Sequence, residues 1–168
     1  MNHTYPVASR PVNPLPDAVA ELIDDRVPDL GPGTPNEPVR VKLAALSVPN
    51  TDAGRALLSA LWLLHDFLHE SHEISQELET PTGSLLHGIM HRREPDAFNA
   101  KYWFRRLGNH PALAVLKRAA TELGYANFDP AKFVDDCERE RGTGSERKKL
   151  LMAVQAKELE VLIGWLVV

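Results

Sequence analysis

Proline placement is the strongest constraint this chain puts on its own fold. Nine of the thirteen prolines lie in the first 50 residues, and only Pro81, Pro95, Pro111 and Pro130 lie beyond them. A proline is tolerated in the first turn of a helix and breaks a helix interior, so these four divide the second part of the chain into helix-sized segments. Residues 1–14 carry three prolines and no apolar periodicity, which predicts an extended N-terminal arm. Pro16 to Val27 reads as a short helix opened by its proline. Residues 28–39, with four prolines and two glycines, predict a surface loop.

From residue 51 the pattern is helical. Thr51 or Asn50 can cap a long helix running to about Leu78. Pro81-Thr82-Gly83 predicts a turn, and Ser84 opens a helix that must end near Glu94, because Pro95 disfavours helical geometry in the residue before it. Asp96 can cap a helix over 97–107, ended by Gly108. Pro111 and Pro130 start helices that stop at Gly124 and Gly142, and Ser145 caps a last one to about Leu166. No strand is expected. The result is an all-α fold: an irregular bundle of about six helices over residues 15–168 as a single domain, preceded by the arm.

Composition narrows the function. Apolar residues at 43% and charged residues at 25% are ordinary for a globular chain. A formal charge of -4 argues against a general nucleic-acid binder. The single cysteine, Cys137, excludes an internal disulfide framework and a cysteine-based zinc site, and its acidic neighbours oppose a thiolate nucleophile. No apolar run approaches the roughly 18–20 residues that span a bilayer, and residues 1–16 lack a secretory pattern, so a cytoplasmic protein is expected. Ser75 and Ser84 lie near histidines without a nucleophile-elbow pattern.

Five of the seven histidines fall within residues 65–91. On the long helix His65, His69, His72 and Gln76 are spaced by 4, 3 and 4 and would share one face. The next helix carries His87 and His91 at i, i+4, with Glu94 a turn further. Two imidazoles in that spacing can hold one divalent metal ion, and a third histidine or a carboxylate completes a catalytic-type site. A tight turn at 79–83 would bring His72 back onto them. The expected metal set is therefore His72, His87 and His91 with Glu94 in reserve, for zinc, manganese or iron. Each histidine alone also fits a hydrogen-bonded core or rim position.

Known metal signatures fit poorly. His87-Gly88-Ile89-Met90-His91 lacks the glutamate of a zincin, and no Glu-x-x-His pair of the di-iron bundles occurs. His65-Asp66 is similar to the paired ligands of HD phosphohydrolases, but no suitable upstream histidine exists. His72 with His87-x-x-x-His91 is somewhat similar to the three-histidine site of DinB-like four-helix bundles, whose ligands are spread more widely along the chain.

Residues 91–110 read HRREPDAFNAKYWFRRLGNH. Arg92, Arg93, Lys101, Arg105 and Arg106 against Glu94 and Asp96 give a local net of +3. Together with Asn99, Tyr102 and Trp103, Arg92, Arg93, Arg105 and Arg106 could hold an anionic small molecule over an aromatic face. The same charges could instead pair with the acidic residues 53–80, where Arg55 stands against five acids, and the aromatic residues would then be core. The stretch LLHGIMHRREPDAFNAKYWFRRLGNHP (85–111), with HESHEISQ (69–76), resembles a block shared by bacterial and fungal proteins of no assigned activity, so the resemblance implies no substrate.

The sequence thus supports three readings. One is a metal centre whose arginines orient an anionic small molecule, with metal-assisted hydrolysis if it is an enzyme. The second is a non-catalytic module that binds an anion or a partner protein. The third is a polar core with no ligand. The apolar positions Leu151, Val154, Leu162 and Trp165 of the last helix close the core or, if partly exposed, offer a homodimer face.

Overall fold

In a computed structural model, residues 16–23 and 25–167 are described; the expected arm over residues 1–14 lies outside them. Nine α-helices and one short 3₁₀ helix (Glu37–Val39) account for the regular structure of the described residues, which contain no strand. The α-helices are α1 (Asp17–Ala20), α2 (Arg40–Ala45), α3 (Asp52–Leu64), α4 (Leu68–Ser75) and α5 (Pro81–Arg93). They continue with α6 (Ala97–Phe104), α7 (Pro111–Glu122), α8 (Pro130–Glu140) and α9 (Glu146–Leu166). No described helix is long and apolar enough to cross a membrane.

Side chains fix most of the helix starts. Thr51, Asp96, Asp129 and Ser145 each accept a hydrogen bond from the backbone N–H three residues on, and satisfy a donor the first turn leaves open. Pro111 and Pro130 occupy first-turn positions.

Three expectations need correction. The helix expected over 51–78 is two helices, because Asp66 turns to a positive φ of 65° between them. Its buried carboxylate accepts from Arg26 and Arg93, and these long-range ion pairs hold the break open. Pro81 does not make a turn before a helix starting at Ser84; it opens α5 itself, capped by Thr80. Gly83 is essential there, since a Cβ would stand 2.2 Å from the carbonyl oxygen of Leu78. The helix count exceeds six, because α2 and the 3₁₀ turn follow the proline-rich loop and the long helix is divided. In addition, the first helix is a single turn, and α6 ends at Phe104 rather than 107.

α5 is the central piece. It packs on α3, α4 and α6, while α9 packs on α3, α7 and α8. The larger apolar cluster gathers Leu61, Leu63, Leu86, Ile89, Met90, Leu159 and Leu162; a second one gathers Leu116, Tyr125, Phe133, Leu151 and Val154. Arg92 and Arg93, at the end of α5, tie the pieces together. Arg92 donates to Glu158 (2.5 Å) and Gln155 (3.1 Å) of α9 and lies over the Phe133 ring. Arg93 donates to Asp66, to the Leu63 carbonyl (2.7 Å) and to the Gly31 carbonyl (3.2 Å) of the proline-rich loop.

Candidate metal centre

Three histidines from two helices converge between α4, α5 and α6. His72 stands half-buried on α4; His87 and His91, one turn apart on α5, are buried. The ring centroids of His72 lie 4.8 Å from His87 and 5.3 Å from His91, and those of His87 and His91 lie 4.8 Å apart. One nitrogen of each ring lies within 4.8 Å of the others. A tetrahedral ion with metal–nitrogen bonds of about 2.0–2.1 Å needs its ligand nitrogens roughly 3.4 Å apart, so small rotamer adjustments close the set.

The neighbours of each ring suit a ligand. Glu94 Oε2 sits 2.9 Å from His91 Nδ1. With the carboxylate ionised, Nδ1–H donates to it, and the lone pair is left on Nε2, the arrangement by which carboxylates orient metal-binding histidines. Glu94 therefore acts behind His91 in this geometry. The Nδ1 of His87 is buried and has no hydrogen-bond partner. An unsatisfied buried nitrogen costs about 1–3 kcal/mol, an expense that a core histidine avoids. Burial, followed by the adjacent His91 and His72, pushes the His87 pKa down to about 3. Burial likewise lowers that of His72, with His91 adding to it. Both rings are therefore neutral at pH 7, the form a metal requires.

The position of His87 follows from a glycine. At Gly88 a Cβ would stand 2.5 Å from the Phe104 ring, so only glycine lets α6 approach α5 this closely. That approach lays the Trp103 indole on His87, with centroids 4.1 Å apart and planes 18° apart.

The other histidines separate from this group. His65 is buried with both nitrogens used: Nε2–H donates to the Leu22 carbonyl (2.6 Å), and Nδ1 accepts from Asn36 (3.0 Å). The break at Asp66 takes it off the His72 face. His69 is exposed and lies 3.4 Å from Glu73.

The arginine–aromatic block also divides. Arg92 and Arg93, expected to hold an anion, are completely buried, and protein acceptors take their terminal nitrogens. They are core ties, and their partners, Glu158 and Asp66, lie too far along the chain to be read from the block. Asn99 donates to Asp96 through its backbone and side chain, and so belongs to the α6 cap. Lys101 pairs with Asp135. Arg105 and Arg106 remain on the surface; Arg106 lies over Tyr102 and Trp103 and donates to the Tyr102 hydroxyl (3.3 Å). Tyr102 and Phe98 are exposed, so the aromatic residues of α6 are not all core.

The feature that the residue pattern did not single out is Asp96. His91, Glu94 and Asp96 form a second group with ligand atoms within 4.8 Å of one another. No protein-family model, curated protein or solved structure matches this chain.

Proposed function

We propose that this is a metal-binding protein in which His72, His87 and His91 hold one divalent ion, with Glu94 orienting His91. The observation that carries the reading is the convergence of three imidazoles from two helices, one of which keeps a buried, unpartnered nitrogen. An all-imidazole set favours zinc or iron over calcium or magnesium, which prefer oxygen ligands. Three protein ligands leave at least one coordination position open, the pattern of catalytic rather than structural sites. A divalent ion held there would supply a Lewis acid and lower the pKa of a water ligand, which makes hydrolysis the most economical chemistry. Around it, His87 is fixed by Trp103 and His91 by Glu94.

Metal analysis of the full-length protein, purified without a histidine tag, tests the reading. One equivalent of zinc or iron is expected, falling to a small fraction in His87→Ala and His91→Ala. Wild-type protein that neither carries metal nor binds it at micromolar concentration would overturn the proposal.

A further inference from the structure

The charges around the three histidines decide what kind of molecule can reach the open position. Glu94 touches His91, and the Asp96 carboxylate completes a group with both. Glu73 follows His72 on α4 and is exposed, its carboxylate 3.4 Å from the His69 ring nitrogen and within electrostatic reach of His72. Three carboxylates therefore flank the site, and they outweigh the two positive charges of a divalent ion.

The cations of the basic block do not offset them. Arg92 and Arg93 are in the core, and Lys101 is paired with Asp135. Arg105 is exposed on the turn that ends α6. His87 lies flat on one face of the Trp103 indole. Arg106 is exposed, lies 5.5 Å from the Trp103 ring centroid and donates to the Tyr102 hydroxyl. The surroundings of the metal thus favour positive charge and repel negative charge.

Resting on the metal reading above, we infer that the ligand of this centre is a small organic cation, a molecule that gives an uncharged or weakly acidic group to the metal and carries an ammonium toward Glu94, Asp96 and Glu73. An anionic substrate, the natural reading of the arginine-rich sequence, is disfavoured.

Three compounds that share one metal-binding group and differ in charge test this: β-alanine hydroxamate with an ammonium, neutral butyrohydroxamate, and succinate monohydroxamate with a carboxylate. Each is titrated into full-length protein loaded with cobalt(II), whose visible bands report a change in coordination. The ammonium compound is expected to bind about tenfold more tightly than the carboxylate compound at low ionic strength, with the neutral one between them and the gap narrowing in salt. Glu73→Gln, which leaves the Glu94–His91 hydrogen bond intact and alters only the contact with the exposed His69, is expected to narrow the gap without loss of cobalt. Cobalt bands with equal or reversed affinities overturn this inference and leave the metal centre standing. Failure to bind cobalt overturns both.

Discussion

α5 places two kinds of polar side chain almost side by side. His87 and His91 point toward α4 and α6; Arg92 and Arg93, next in the chain, enter the core. All four are buried, and the sequence presents them as one block. What separates them is the accounting of partners. The arginines find a carboxylate each and several carbonyl oxygens, and only the Nε of Arg92 goes without. The histidines bring one nitrogen each within 4.8 Å of the others, and the hydrogen bond that His91 Nδ1–H donates to Glu94 fixes an orientation. Burial of polar groups alone does not mark a site. Burial with unspent bonding capacity converging on one point does.

The largest expected effect breaks the saturated half. Arg93→Ala leaves the buried Asp66 paired with Arg26 but without Arg93, and removes the donor to three loop and helix carbonyls. Removing one member of a buried pair costs about 3–5 kcal/mol, so a large fall in Tm or loss of folding is expected. Arg106→Ala on the surface is expected to change stability by less than about 0.5 kcal/mol. Equal effects, read by thermal or urea denaturation, would show that the two kinds of arginine have been wrongly divided.

The complementary experiment loads the unsaturated half. Zinc at about 100 times its Kd should stabilise the wild type by about 2.7 kcal/mol, seen as a rise in Tm. His87→Ala should lose that rise while folding normally in the presence of a chelator. A metal-dependent rise that survives His87→Ala would place the ion elsewhere.

A smaller effect tests how the two halves are joined. Gly88→Ala puts a methyl group into the Phe104 ring and should cost about 1–3 kcal/mol through overpacking. By moving α6 it should also lift Trp103 off His87 and weaken metal binding. Adding Phe104→Leu makes room and should restore both. If stability recovers and metal binding does not, Trp103 is not what positions His87.

The sequence was informative where structure is local. First-turn prolines, side-chain caps and i, i+4 histidines act within one or two turns, so the starts at Pro111, Pro130 and Ser145 and the pairing of His87 with His91 could be read directly; the approach of His72 was expected from a turn at 79–83, where α5 in fact starts at Pro81. It was uninformative where a distant partner decides. The turn at Asp66 depends on Arg26 and Arg93, 40 and 27 residues away. The burial of Arg92 depends on Glu158, 66 residues away. Pro81 was ambiguous for a different reason: proline suits both a turn and the first turn of a helix, and the choice falls to Thr80 and Gly83.

The smallest expected effect concerns a histidine that falls on the saturated side of the comparison. His110 caps α7: its Nδ1 accepts from the Ala112 N–H (3.1 Å), so the ring proton is on Nε2 and donates to Thr82 Oγ1 (2.9 Å). Protonation would turn Nδ1 from acceptor to donor, and burial lowers the pKa below its ordinary 6.5. In the unfolded chain His110 takes up a proton below about pH 6.5, while the folded protein resists it. The unfolded state then binds more protons, so the contribution is complete above that pH and declines as pH falls, by at most about 1.4 kcal/mol per unit. His110→Asn retains a cap without a titrating group. Urea midpoints at pH 7, 6 and 5, with chelator present so that the metal ligands behave alike in both proteins, should fall less steeply for the variant. Parallel slopes would mean that His110 is not held neutral by its partners, and that saturation of the ring does not distinguish it from the histidines at the metal centre.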